Sequence, residues 1–483
     1  MSAHVAVVGG GISGLAGAYR LRQLLGPDAT ITLVESTDRL GGKLRTIELA
    51  GSRYDVGAEA FLSRRPQATA LLTEVGLADA LTHPSSARAG ILAGGSLRPI
   101  PPKTFLGVPA SAEAVAGVLS EEGVARVAAE AGLPPVDLAG TDTSVGALLR
   151  DRLGPEVPFR LVDPLLGGVY AGHADSLGVR ATMPELAKAL DAGATSLTEA
   201  AATLLPKPPE PGSKPAPVFG TLRGGLQTLA DRLAEAADLE LRSGLPVRAL
   251  RRTTTGWQLE IGSAPAPEFL DVDAVLLAVP APAARKLLTD LAPTAAAALG
   301  GVEVASVGVI GLALPIDAAI PDASGILLAS REHHADGTPF TAKAFTFSSR
   351  KWAHLAGDGH LLIRGSVGYA GETTTLQRDD AELIAAVRAD LAELTGVTAT
   401  PIDATVQRWG GGMPQYGVGH LDLVDTVERA VGQLPKLAVA GAYLRGIGLP
   451  GCIASADAAA TTLAEQCLHR PPAGDPPPPV AVG

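Results

Sequence analysis

Cysteine, net positive charge and long apolar runs are scarce in this sequence, and each scarcity excludes a class of protein. Among its 483 residues are only two cysteines, Cys452 and Cys467, which argues against a disulfide framework or a cysteine-based zinc site and favours a reducing compartment. The formal net charge of -11 leaves no broad basic surface for a nucleic acid. We therefore expect no nucleic-acid partner and no metal site.

The apolar segments are too short or too interrupted to cross a membrane. The most apolar internal stretch, residues 304–314, ends at Pro315, well short of the roughly 20 residues that a helical span needs. The N-terminal apolar run has no basic region before it and is interrupted by glycines, unlike a signal peptide. With 46% hydrophobic and 18% charged residues, the composition is that of a globular protein, and we expect it to be cytoplasmic.

The N-terminal segment VAVVGGGISGLAG joins branched apolar residues to a helical pattern through a cluster of glycines. Residues 5–8 fit a central parallel strand that is buried on both faces. Gly9, Gly11 and Gly14 have the G-x-G-x-x-G spacing, which allows a tight turn, a close approach to a pyrophosphate and close helix packing. Free amides at the helix start attract phosphate without a lysine. A glycine-rich turn that binds no ligand remains the alternative.

A second strand is predicted at residues 30–34 and ends at Glu35. This acid follows Gly14 by about twenty residues, where a carboxylate can accept hydrogen bonds from the ribose of an adenosine. The acid and the glycine spacing together are a stronger signal than either alone. A surface acid at the end of a strand remains the alternative.

Two glycine-containing segments follow this strand, DRLGGKLRT and YDVGAEAFL. The first resembles the R-x-G-G-[RK]-x-x-[ST] signature of the flavin amine oxidase superfamily, so the expected cofactor becomes FAD instead of NAD. Four later stretches resemble the flavin-dependent protoporphyrinogen and coproporphyrinogen III oxidases of the Gram-positive type: DPLLGGVYAGHADSLGVRATMPEL, GGLQTLADRL, RWGGGMPQYGVGH and AGAYLRGIGLPGCIASA. The resemblance runs from Val5 to about Cys467, and the first of the four stretches is absent from amine oxidases.

The resemblance implies FAD contacts in the glycine loop, after the second strand, in the two segments just quoted and near the C-terminus. The implied residues are Gly9, Gly10, Gly11, Ile12, Ser13, Gly14, Glu35, Ser36, Arg39, Gly42, Lys43, Gly57, Ala58, Glu59, Ala60, Val247, Trp409, Ile447, Gly448 and Leu449. Val247 is implied as a backbone contact of the adenine. Ala58 and Lys43 depart from the family pattern, which more often has proline and arginine there; a lysine keeps the charge but loses the planar fork.

The resemblance also implies residues that contact the tetrapyrrole. Gly168 is implied with its carbonyl facing the macrocycle, Leu327 as an apolar residue against its face, and Lys343 where plant and animal relatives have an apolar residue. Arg64, Arg65, Arg88 and Lys343 are candidate partners for the propionates, because a buried carboxylate without a partner costs several kcal/mol. A solvated surface charge remains the alternative for each arginine.

The implied reaction needs no side-chain nucleophile. A porphyrinogen gives a hydride to FAD, molecular oxygen regenerates the cofactor with formation of hydrogen peroxide, and repeated rounds yield the porphyrin. Ser13 lacks the frame of a nucleophile elbow, and His333 and His334 are predicted in a solvated turn. His173 and His420 are predicted to have structural roles. We therefore expect no catalytic side chain.

Coproporphyrinogen III carries more propionates than protoporphyrinogen IX, so added basic residues favour coproporphyrinogen III as the substrate, in haem biosynthesis. The alternatives are a protoporphyrinogen IX oxidase, a flavin amine oxidase or desaturase, and a non-catalytic FAD-dependent tetrapyrrole carrier. The resemblance leaves open a peripheral contact with a membrane and a transient contact with the next enzyme of the haem pathway.

The order of strand-like and helical patterns predicts an α/β fold, with one of the helices running from Asp379 to Leu394. Its parts are a discontinuous Rossmann-like FAD-binding domain, a mixed-sheet substrate domain and an α-helical insert. The predicted divisions are 1–60, 218–300 and 401–468 for the FAD-binding domain, 61–110 and 301–400 for the substrate domain, 111–205 for the insert, 206–217 for a proline-rich linker and 469–483 for a disordered tail.

Overall fold

The computed structural model describes residues 3–85, 88–206, 217–357 and 359–469. The predicted linker and tail, except at positions 206, 217 and 469, lie outside the described residues. The strands are β1 (His4–Val8), β2 (Thr30–Val34), β3 (Thr46–Leu49), β4 (Ser52–Asp55), β5 (Phe61–Leu62), β6 (Leu81–Thr82), β7 (Gly90–Ala93), β8 (Ser96–Pro99), β9 (Thr104–Phe105), β10 (Val108–Pro109), β11 (Phe219–Leu222), β12 (Glu240–Arg242), β13 (Val247–Arg252), β14 (Trp257–Ser263), β15 (Ala266–Val272), β16 (Ala274–Leu277), β17 (Val304–Pro315), β18 (Gly325–Leu328), β19 (Ala342–Thr346), β20 (His360–Val367), β21 (Asp403–Pro414) and β22 (Leu437–Val439).

The helices are α1 (Ile12–Leu25), α2 (Pro66–Glu74), α3 (Glu121–Ala129), α4 (Val145–Leu153), α5 (Asp163–Tyr170), α6 (Val179–Thr182), α7 (Pro184–Asp191), α8 (Leu197–Leu204), α9 (Gln227–Ala236), α10 (Ala281–Leu288), α11 (Pro293–Leu299), α12 (Ser348–Lys351), α13 (Asp380–Thr395), α14 (His420–Val431) and α15 (Leu449–Leu468). Within the described ranges, none of them is both long enough and apolar enough to cross a membrane.

A five-stranded sheet with the order β12-β2-β1-β16-β22 has every neighbouring pair parallel. Side chains alternate between the two faces of a strand. Val5 and Val7 therefore pack with α1, α9 and α15, whereas Ala6 and Val8 pack with α10, α11 and α14. The prediction of a central strand buried on both faces is confirmed. The carboxyl ends of the five strands meet at one edge, where open parallel sheets bind ligands.

A second sheet of seven strands has the order β21-β17-β20-β19-β18-β7-β8. Only β18 and β7 run parallel, so the prediction of a mixed sheet is confirmed. The helix predicted from Asp379 is α13, which begins one residue later with Asp379 as its N-cap and packs against this sheet. The predicted division into domains stays a prediction. Strand β21 pairs along β17, so residues 403–414 lie in the mixed sheet. The predicted division assigned these residues to the FAD-binding domain.

Helices α3 to α8 form a separate layer with a core of their own. Leu149, Leu161, Leu166 and Leu186 are buried in it, and Tyr416 packs there from outside the helical region. Ile91 and Ala93 of β7 also belong to this apolar core, which places the helical layer beside the mixed sheet.

Candidate cofactor and substrate site

The loop between β1 and α1 lies at the carboxyl edge of the parallel sheet. A Cβ atom on Gly14 would lie 1.8 Å from the Gly9 carbonyl oxygen, so only glycine permits this contact between helix and loop. Helix α1 begins at Ile12 after Gly11 as N-cap, and its first turn has no acidic side chain. Because the first amides of a helix have no partner within the helix, this loop is suited to an anion such as a diphosphate.

Glu35 is held beside this loop by defined hydrogen bonds. The Gly10 amide donates to Glu35 Oε2 at 2.7 Å, and the Ser36 hydroxyl donates to Oε1 at 3.0 Å. A carboxylate oxygen has two lone pairs, so Oε2 can also accept from a ribose hydroxyl. The Leu245 amide donates to the Glu35 backbone oxygen at 3.0 Å, which places Val247 two residues beyond that contact.

The basic segment after β2 lies against the glycine loop. The Gly41 amide donates to the Gly10 oxygen at 2.8 Å. The Arg39 guanidinium donates to the Gly42 oxygen at 2.7 Å and lies 5.6 Å from the centre of a Trp409 ring. Arg39 therefore fixes the backbone next to the loop and brings a positive charge to it.

Lys43 and Gly57 join the two segments that carry the superfamily signature. The Lys43 amine donates to the Gly412 oxygen at 2.6 Å, and burial lowers its pKa. A Cβ atom on Gly57 would lie 1.9 Å from the Lys43 oxygen and 3.2 Å from the Trp409 ring, and the Ala58 amide donates to the same oxygen at 3.0 Å. These contacts form one layer beside the glycine loop.

The Glu59 carboxylate is engaged inside the protein. The Lys351 amine donates to it at 2.5 Å and the Trp352 indole at 3.4 Å. Burial would raise the pKa of Glu59, but the charges of Lys351 and Arg364 outweigh burial and hold this pKa below its ordinary value. Contacts of Glu59 and of the half-buried Ala60 with FAD stay predictions.

The start of α15 faces the same region from the C-terminal part of the chain. The helix begins at Leu449 with Gly448 as N-cap, and it packs against α1. Ile447, just before this start, packs in the apolar core of the helical layer, where Leu327 also packs. Ile447, predicted at the flavin end, and Leu327, predicted at the macrocycle, thus both border the apolar core of the helical layer.

The predicted macrocycle contacts Gly168, Leu327 and Lys343 lie near one another. Gly168 is exposed, and a Cβ atom there would meet nothing within 4 Å among the described residues. Its helix α5 contacts β18, which carries Leu327, and β19, which carries Lys343. The structure therefore places an open backbone position opposite an apolar side chain and a buried amine.

Two of the predicted propionate partners, Arg65 and Arg88, lie at the surface. Arg65 is the N-cap residue of α2, and its guanidinium forms a half-exposed ion pair with Glu185 of α7 at 2.5 Å. Arg88 is exposed just before β7, and its backbone oxygen accepts from the Ser324 amide at 3.2 Å. Whether either arginine contacts a substrate stays a prediction.

Arg364 is a site residue that the sequence analysis missed. Its guanidinium donates to the Asp55 oxygen at 3.1 Å and to the Gly57 oxygen at 2.7 Å, so it fixes the backbone that packs on Lys43. The available signal was a single arginine within the apolar strand HLLIRGSV.

Tyr416 and His420 support the segment that leads to Gly448. The Tyr416 hydroxyl donates to the Ala442 oxygen at 2.7 Å, and the His420 ring stacks on Tyr416 with 4.0 Å between centres. His420 Nε2 lies 2.9 Å from the Leu444 oxygen. Burial lowers the pKa of His420, and its contacts agree with the structural role predicted for it.

The prediction that His334 is solvated is wrong. Its Nε2 lies 2.8 Å from Asp390 Oδ1, its ring lies 4.1 Å from that of Phe340, and its side chain is 17% exposed. The reason is that α13 presents a buried carboxylate to this turn, which the polar sequence does not reveal. The neighbouring His333 is exposed, as predicted.

Comparison with known proteins places this geometry in a family. The model of the family described as "Flavin containing amine oxidoreductase" matches residues 12–464. The chain is 46% identical over 461 residues to "Coproporphyrinogen III oxidase" of Mycobacterium tuberculosis (strain ATCC 25618 / H37Rv), covering 95% of this chain and 97% of that one. It is 30% identical to the protein of the same name from Bacillus subtilis (strain 168), covering 94% and 97%. A crystal structure of a "Putative protoporphyrinogen oxidase" from Exiguobacterium sp. 255-15 is similar with a TM-score of 0.84 and 30% identity, covering 96% and 99%.

Proposed function

Because this chain belongs to the flavin containing amine oxidoreductase family, we propose that it is an FAD-dependent coproporphyrinogen III oxidase. It oxidises coproporphyrinogen III to coproporphyrin III in haem biosynthesis, with molecular oxygen as the acceptor and hydrogen peroxide as the second product. The structural observation that carries this proposal is that Ile447 and Leu327 border the same apolar core, and that the open position Gly168 lies on a helix in contact with the strand of Leu327. Such residues suit the apolar face of a macrocycle.

The residues at the edge of the parallel sheet fit FAD. The amides before α1 suit its diphosphate, and Glu35 suits the ribose of its adenosine half, a group that a flavin mononucleotide lacks. Bound FAD supplies hydride acceptance and electron transfer to oxygen. Arg39, Lys43 and Arg364 fix the surrounding backbone, so the protein contributes orientation and exclusion of water.

Arg65 and Arg88 suit propionates at the rim of the site. The Arg65 pair with Glu185 is half-exposed, and such pairs contribute only about 0–1 kcal/mol. A propionate can therefore replace Glu185 at little cost. A substrate with more propionates gains more from such residues, which favours coproporphyrinogen III over protoporphyrinogen IX.

Comparing the two substrates tests the proposed function. We expect kcat/KM for coproporphyrinogen III to exceed that for protoporphyrinogen IX by at least about tenfold, equivalent to roughly 1.4 kcal/mol of transition-state stabilisation. Porphyrin fluorescence and hydrogen peroxide release measure both reactions. Equal or faster turnover of protoporphyrinogen IX would identify the runner-up activity. Porphyrin binding without peroxide release would indicate a carrier.

Replacing Glu35 by alanine should weaken FAD binding about tenfold, since a hydrogen bond to a charged group contributes roughly 1.5–3 kcal/mol. The alanine removes the ribose acceptor and also the partner of the Gly10 amide. Titration of flavin-free protein with FAD gives the dissociation constant. Asp38→Ala, an exposed acid three residues later, is the matched control. Equal affinities for the two variants would show that Glu35 does not hold the ribose.

A further inference from the structure

Lys343 is a buried lysine on the substrate side of the site. The residue is 8% exposed, and its amine donates to the Gly368 oxygen at 2.8 Å. The amine also lies 5.0 Å from the centre of the Tyr369 ring. That ring is next to Gly167, where a Cβ atom would lie 2.8 Å from it. Tyr369 therefore connects the amine to the helix that carries the predicted macrocycle contact.

The backbone gives Lys343 a special position. Ala342 pairs with Val367 and Ala344 with Ser366, so the register shifts and Lys343 is the extra residue of a bulge in β19. Bulges occur next to active sites, where they redirect a side chain. The buried Asp390 carboxylate accepts from the Ala342 amide at 2.6 Å, which fixes the strand just before the bulge.

The amine has no charged partner that balances it. Within the described part of the chain, no carboxylate lies within 4.0 Å of Lys343 Nζ. Glu372 acts on it from a distance, and Arg364 repels its charged form. The Tyr369 ring also faces the amine, stacks on the His173 ring with 4.6 Å between centres, and lies in the field of Asp163. Burial, opposed by Glu372 and helped by Arg364, lowers the pKa of Lys343 to about 7, so a large fraction of the amine is neutral at neutral pH.

A buried lysine without a carboxylate partner lowers the stability of the folded protein relative to a leucine at the same position. Its presence there points to a role in function. Resting on the proposed function, we propose that the amine of Lys343 accepts the pyrrole N–H proton as the porphyrinogen is oxidised. Loss of a hydride from a methylene bridge leaves positive charge on the adjoining pyrrole, which makes its N–H acidic. The N–H bond breaks, its electron pair stays on the macrocycle, and a new N–H bond forms on Lys343.

Protons and electrons balance with molecular oxygen as the final electron acceptor. In each round the macrocycle loses one hydride from a methylene bridge and one proton from a pyrrole nitrogen. After the third round one proton moves from the remaining methylene bridge to a pyrrole nitrogen, which leaves the two N–H groups of the porphyrin. Molecular oxygen is the final acceptor of each hydride, by way of the proposed FAD. Formation of hydrogen peroxide consumes one further proton, equal in number to the one that Lys343 received. The lysine is then neutral again for the next round.

Two substitutions at Lys343 separate a proton acceptor from a propionate anchor. Methionine removes both the base and the charge, whereas arginine keeps the charge but stays protonated. We expect Lys343→Met and Lys343→Arg each to lower kcat by about 100-fold, the usual scale of general base catalysis. The affinity for coproporphyrin III, measured by fluorescence, should change less than about threefold in both, because binding of the product requires no proton transfer to the lysine.

The pH profile is the second readout. In the unmodified protein kcat should rise with pH through about 7, since the amine must be neutral to accept a proton, and this limb should be absent from Lys343→Met. Lys188→Met, at an exposed lysine of α7, is the control and should behave like the unmodified protein. Lys343→Gln, measured in parallel, ensures that a packing defect in one variant does not decide the result.

An arginine variant with unchanged kcat would overturn the proposal, as would a methionine variant that loses affinity for coproporphyrin III with kcat unchanged. Those results would make Lys343 an anchor for a carboxylate. A pH limb that persists in both neutral variants would also overturn it. Failure of the unmodified protein to oxidise coproporphyrinogen III would instead defeat the proposed function, and the proton-acceptor role with it.

Discussion

Replacing Gly14 by alanine is expected to reduce the flavin content of the purified protein to less than about a tenth, because the loss of as little as 1.4 kcal/mol of binding free energy lowers affinity tenfold. The added Cβ atom would lie 1.8 Å from the Gly9 oxygen, far inside any allowed contact. Both atoms belong to the backbone or are fixed to it, so α1 must move away from β1. The amides that suit the diphosphate then lose their common orientation.

The ratio of flavin absorbance to protein measures this effect directly. Gly132→Ala is the matched control, since Gly132 is exposed at the end of a short turn and its Cβ would meet nothing within 4 Å among the described residues. Far-ultraviolet circular dichroism checks that both variants keep their helices. Full flavin content in Gly14→Ala would contradict the assignment of this loop to the cofactor.

Replacing Lys351 by methionine should lower the free energy of unfolding by about 3 kcal/mol at neutral pH, because it leaves a buried carboxylate without its main partner. Lys351 Nζ lies 2.5 Å from Glu59, and the two side chains are 19% and 15% exposed. After the substitution, Glu59 keeps only the longer bond from Trp352 and the field of Arg364. Urea denaturation measures the loss. Arg350→Met, one residue earlier and exposed, should change stability little.

The pH dependence of this pair has a definite sign. The pKa of Glu59 is lower in the folded protein than in the unfolded chain, so the pair contributes stability above the unfolded pKa of about 4.3. That contribution is lost as the pH falls through the folded pKa. The stability difference between the unmodified protein and Lys351→Met should therefore shrink in acid. The double variant Glu59→Gln/Lys351→Met should recover part of the stability, and additive losses in the two single variants would show that the pair is not coupled.

Local sequence patterns were sufficient to predict individual strands and helix ends. Residues 30–34 form β2 as predicted, because a short run of branched and apolar residues favours a buried strand. Asp379 was predicted at the start of a helix and is its N-cap, because an aspartate there satisfies amides of the first turn. Such signals lie within a few residues, so the sequence displays them directly.

Contacts between distant segments were beyond such patterns. Arg364 holds Gly57 across some three hundred positions of chain, and no local feature names the partner of a lone arginine in a strand. His334 was expected in water because its neighbours are polar, yet Asp390 of a distant helix buries it. The pairing of β21 with β17 was hidden for the same reason, since strand pairing and not composition decides which sheet a residue joins.

The sequence by itself determined the glycine loop, the acid after β2 and the family, because each depends on residue types at fixed spacing. Only the tertiary structure decided which charges are buried together, with Lys351 against Glu59 and Lys343 without a carboxylate. The physical reason is that the pKa of a charged group and the free energy of burying it depend on its neighbours in space. Those neighbours come from distant parts of the chain, which no local sequence pattern connects.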